Sequence, residues 1–136
     1  MPALISAADP LLTALAAALA ASVSKWASAP LHRLKDKGLA HDHVGLRGTG
    51  VLARIPKQSQ LQLSAQDNPA CQRACFERAS AAGHAPHLRG VLSPSVYLPR
   101  GALLVEEIMS RNALLPGDLG LGVPALASIH ALPLPA

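Results

Sequence analysis

From Asp9 onward the apolar positions first follow a helical step. Leu12, Leu15, Leu19, Val23 and Trp26 recur at intervals of three and four residues, which places them on one stripe of a helix. Asp9 followed by Pro10 supplies a start, because an aspartate accepts from free amides and proline suits the first helical position, so the pattern predicts a helix over 10–28. Pro30 restarts the chain, and a short helix through Leu31 and Leu34 is expected to end at Gly38. The stretch Gly38–Gly50 contains four glycines and neither period, so it reads as loop. Val51, Ala53 and Ile55 then alternate with Leu52 and Arg54, and Leu61 and Leu63 alternate with glutamines. The period of two predicts a hairpin turning through Lys57 to Ser59.

A second cap-and-proline start at Asn68-Pro69 and a stop at Gly83 frame a helix over about 69–82, with Cys71, Cys75, Ala79 and Ala82 on its apolar face. Val91–Leu98 is interrupted by Ser93-Pro94-Ser95 and is at most an edge strand. Leu104, Val105, Ile108 and Met109 return to helical spacing, with Asn112 as the stop. From Leu115 the chain is punctuated by Pro116-Gly117, Gly120, Gly122, Pro124, Pro133 and Pro135, so 115–136 is expected to be a mostly loop tail with one strand at most, near 126–129. The expected fold is α+β, with three or four short helices, a small antiparallel sheet and an Ala/Leu-rich core, in one domain over 1–136.

Composition sharpens this picture in two ways. Half of the chain is hydrophobic, which excludes a disordered polar chain, yet only Trp26, Phe76 and Tyr97 are aromatic. A core without large rings gains less on burial, so modest stability or apolar faces shared between copies is expected. The apolar run Leu11–Ala21 is long enough for the middle of a signal peptide, but no Lys or Arg precedes it and Asp9-Pro10 adjoins it; it is also too short and alanine-rich for a membrane span. Cys71 and Cys75 at a four-residue helical spacing suit reduced thiols rather than a disulfide framework, which favours a cytoplasmic location over a secreted or organellar one.

Charge is uneven. Lys25, Arg33, Lys35, Lys37, Arg47, Arg54 and Lys57 share residues 24–57 with only Asp36 and Asp42, whereas 61–136 carries five residues of each sign. Such a segment attracts phosphates, so weak, non-specific nucleic-acid binding is one expectation beside a plain solvated face. Within it, Arg47, Gly48 and Gly50 form an anion-site candidate, since successive amides of a glycine-rich turn make a nest, although neither a dinucleotide fingerprint nor a phosphate loop surrounds them. His41 and His43 project to one side if extended. Cys71, Cys75, His84 and His87 carry the donor set of a structural zinc site at a spacing that departs from the usual pairs. The Ser22-Val23-Ser24-Lys25 match to acyl-transfer enzymes lacks its companion motifs. These residues favour a non-enzymatic protein with no cofactor, binding another protein or a second copy of itself through apolar helix surfaces. The alternatives are a phosphate or nucleic-acid binder, a metal-binding protein, and a small enzyme with an unrecognised site.

Overall fold

The computed structural model describes residues 8–35, 38–58 and 61–134. Lys37 and Asp36 of the basic segment and Ser59 of the expected turn lie outside them. The architecture is α+β: three helices and a five-stranded antiparallel sheet in the order β1-β2-β3-β5-β4. The elements are α1 (Pro10–Ala21), β1 (Leu31–Arg33), β2 (His41–Leu46), β3 (Val51–Pro56), α2 (Asp67–Ser80), β4 (Leu88–Leu92), β5 (Ala102–Glu106) and α3 (Leu119–His130).

Helix α1 begins where the pattern predicts. The Asp9 carboxylate accepts from the Leu11 amide at 2.9 Å, and the same carboxylate meets Arg33 of β1 at 3.3 Å. The helix stops at Ala21, seven residues before the expected end. The amide of Val23 donates to the Ala20 carbonyl and that of Ser24 to the Leu19 carbonyl, the paired bonds of a closing turn that satisfies the last carbonyls. This turn needs a left-handed residue, and Val23 takes that role at φ 52°. Glycine is the usual occupant; a valine there carries no sequence signal. Val23 is thereby turned out to solvent, and Trp26 leaves the helix to lie over Gly90 of β4.

One face of the sheet receives α1. Leu15, Ala18 and Leu19 pack with Val44 and Leu46 of β2, Ala53 and Ile55 of β3, and Leu104 of β5 into one buried cluster. The opposite face carries α2, marked by Arg54 of β3 lying under the Phe76 ring and by His41 of β2 meeting Gln72. β5 lies between β3 and β4 with Ala102, Leu103, Leu104 and Val105 all buried, because both of its faces are covered. The core therefore draws on valine as well as on leucine and alanine.

Several expected elements differ from those observed. Leu31–Arg33 is strand rather than helix, held by pairing with β2 in the register Leu31↔Leu46. The expected loop Gly38–Gly50 contains β2, whose six residues pair one-to-one with Val51–Pro56; Arg47–Gly50 alone forms the turn. β3 is therefore a hairpin partner of the residues before it, and 61–63 forms no strand. Tertiary pairing overrides a local pattern obscured by His41-Asp42-His43, in which Asp42 occupies the α1 side because Arg33 and Lys57 neutralise it at 2.7 and 3.8 Å. The run over 102–106 is strand, since a strand buried on both faces lacks alternation and mimics a helical stripe. Residues 119–130, read as loop, form α3 with Pro124 inside it. The edge strand expected over 91–98 is present as β4 over 88–92, ending before Ser93-Pro94.

Candidate binding surfaces

The anion-site candidate is the β2–β3 turn. Gly48 and Gly50 are left-handed, at φ 75° and 69°, as the turn requires. Its amides are largely engaged within the fold: Arg47 donates to the Pro30 carbonyl, Thr49 to that of Leu46, and Val51 to the Thr49 hydroxyl at 3.1 Å. Arg47 itself is exposed. Elsewhere in the basic segment the charge is partly spent inside the molecule. Arg33 pairs with Asp9 and Asp42, Lys57 with Asp42, and Lys25 lies 4.6 Å from the centre of the Trp26 ring.

The Cys/His set is distributed along the chain's α2 side. Cys71 is partly buried and Cys75 exposed on successive turns of α2, whereas His84 lies beyond the helix with Nδ1 at 2.9 Å from the Ser128 hydroxyl of α3. His87 leads into β4, its amide donating to Glu106. Among the described residues no group of three or more His, Cys, Asp or Glu side chains is placed to hold a metal ion.

His41 and His43 do share one side of β2, with ring centres 6.3 Å apart, but Arg47 is at the far end of the strand and does not join them. The Gln72 amide meets His41 Nε2 at 3.0 Å and the Arg54 guanidinium approaches the same ring at 3.4 Å. Burial, reinforced by the Arg54 charge, holds the His41 imidazole below its ordinary value of 6.5, which favours the neutral ring. Burial also lowers Arg54. His41, Asn68, Cys71 and Gln72 line a small cavity of about 120 Å³, and the buried Asn68 amide nitrogen has no partner among the described residues.

Two larger features remain, and the sequence patterns pointed to neither. The first is a cavity of about 440 Å³ between the opening turn of α1, the end of β3 and the 97–101 turn. Leu11, Ala14, Ile55 and Leu98 give it apolar walls, and Asp42, Lys57, Tyr97 and Arg100 bring polar groups to it. The second is the surface of α3. Leu119, Leu121, Val123, Leu126 and Ile129 are 41–72% exposed, and no residue of the helix is buried. Leu114, Leu115 and Leu134, in the segments flanking the helix, are exposed as well. Polar ties link it to the rest of the chain: Arg78 donates to the Pro133 carbonyl and His84 meets Ser128, while the Arg111 guanidinium holds Asp118 at its start through two bonds of 2.6 and 3.0 Å. No protein-family model, curated protein or solved structure matches this chain. The functional reading therefore rests on these surfaces. Among the described residues no helix is long and apolar enough to cross a membrane.

Proposed function

We propose that the protein is a non-enzymatic assembly protein, and that α3 docks on α3 of a second copy of the chain. The observation that carries this reading is a helix of twelve residues with no buried side chain. A helix that short is marginal by itself in water, and α3 also contains Gly120, Gly122 and Pro124, which disfavour an isolated helix by about 1, 1 and 3 kcal/mol. Its stability has to come from packing of its apolar residues, of which Leu119, Val123 and Leu126 share one helical face, and an exposed apolar face is the signature of a contact surface.

The chemistry of the patch favours a second copy as the occupant. From Leu119 to Ile129 there is no charged residue, so two such surfaces meet without like-charge repulsion and without stranding an unpaired charge. A surface complementary to itself closes into a two-fold dimer, the commonest assembly of soluble chains. Sedimentation equilibrium of the wild-type chain and of Leu126→Asp tests the reading. A dimer that becomes a monomer in the variant supports it. A wild-type monomer, or a dimer indifferent to the aspartate, refutes it.

A further inference from the structure

The cavity beside α1 is separate from the α3 surface, and its charges are not balanced. Asp42 is already held by Arg33 at 2.7 Å and by Lys57 at 3.8 Å, while Lys57 also donates to the Gly38 carbonyl at 2.9 Å. Arg100 differs from both. It lines the cavity half-buried, and among the described residues its solvent-shielded Nη1 has no hydrogen-bond partner and its guanidinium enters no ion pair. Nη1 is closed even to water, so a ligand in the cavity meets the rest of the guanidinium, a cation with no acid partner among the described residues that a carboxylate matches best. The chain's position at the 97–101 turn is fixed, because Gly101 is left-handed at φ 65° and its amide donates to the Leu98 carbonyl at 2.9 Å.

We infer that this cavity binds a small monocarboxylate with an apolar body, its carboxylate on Arg100 and its chain or ring against Leu11, Ala14, Ile55 and Leu98. The volume of about 440 Å³ lies in the range of small-molecule sites, and at roughly 30 Å³ per water-sized group it takes a molecule of up to about fifteen heavy atoms. Apolar walls with few converging polar groups suit a singly charged amphiphile. A phosphate dianion would require more donors than Arg100 and the Asp42-paired Lys57 supply.

Octanoate and its uncharged counterpart octanamide are the probes, titrated into the full chain by amide-resolved NMR. Saturable octanoate shifts are expected at Leu11, Ala14, Leu98 and Gly101, with octanamide at least tenfold weaker. Arg100→Met keeps the aliphatic stem and should weaken octanoate roughly ten- to a hundredfold while leaving octanamide unchanged. Ala14→Leu, a substitution the helix tolerates, fills part of the cavity and should weaken both probes. Equal affinity for the two probes, unchanged octanoate binding in Arg100→Met, or no saturable shifts at these amides at millimolar octanoate would each overturn the inference. None of these readouts depends on the oligomeric state.

Discussion

Truncating Leu15 to alanine tests how α1 is seated. Leu15 is fully buried in the cluster shared by α1 and the sheet, so the substitution withdraws three carbons from a closed environment. At about 0.8 kcal/mol per buried methylene the transfer loss is about 2.4 kcal/mol, and the unfilled volume raises the total to about 3–4 kcal/mol. For a chain of this length that corresponds to a fall in Tm of about 10–15 °C. Leu12, partly buried at the rim of the same cluster, should lose about half as much, and Val23, 89% exposed, should change by no more than about 0.5 kcal/mol. Urea unfolding followed by far-UV circular dichroism gives the three values on one scale. The ranking matters more than any single number. If Val23→Ala destabilised as much as Leu15→Ala, the apolar stripe would continue through residue 28 and the helix end described above would be wrong.

Other expectations follow from single residues. Val23→Gly should stabilise the chain by about 0.5–1 kcal/mol, because relief of the left-handed strain exceeds the added flexibility of the unfolded chain; a loss in the same urea assay would contradict it. Gly101→Ala should be destabilising by about 2 kcal/mol or more, since the residue is left-handed and a Cβ would strike the Leu92 carbonyl oxygen; an unchanged midpoint would show that the turn is not built this way. His41, flanked by Arg54, His43 and Gln72, has a folded-state value depressed below 6.5, chiefly by burial. Its contribution is therefore fully present above about 6.5, where both states are neutral, and is lost as pH falls through the folded value because the unfolded chain takes up the proton first. The fall in unfolding midpoint on acidification below that pH should be shallower in His41→Gln, and parallel curves would argue against a buried, neutral imidazole.

The start of α1 and the position of α2 were legible because both depend on local signals: Asp9-Pro10, and Asn68-Pro69 followed by Gly83, leave the observed α2 within two residues of expectation at each end. The alternation at Val51–Ile55 identified β3, again from within the segment. What escaped was decided at a distance. β2 is strand because Val51–Pro56 pairs with it, and β5 mimics a helical stripe because α1 and α2 cover its two faces. α3 was hidden by glycine and proline, residues that argue correctly against an isolated helix.

The candidate sites divide in the same way. His41 and His43 share a side, as alternation on an extended segment requires, whereas convergence of either with Arg47 depends on the length of β2 and does not occur. Cys71 and His41 line one cavity although they lie thirty positions apart in the chain, a proximity that no spacing rule encodes. Arg100 belonged to an ordinary turn in the sequence. Its interest arises from what surrounds it, apolar walls and a neighbouring carboxylate already claimed by two other cations.

Whether α3 docks on a second copy is decided by the solution mass of the chain across micromolar concentrations, measured together with hydrogen exchange of the amides in α3. Self-docking of α3 predicts a two-fold assembly of twice the chain mass, with protection of 119–130 that is lost on dilution and in Leu126→Asp. A monomer at every concentration with α3 still protected would contradict it.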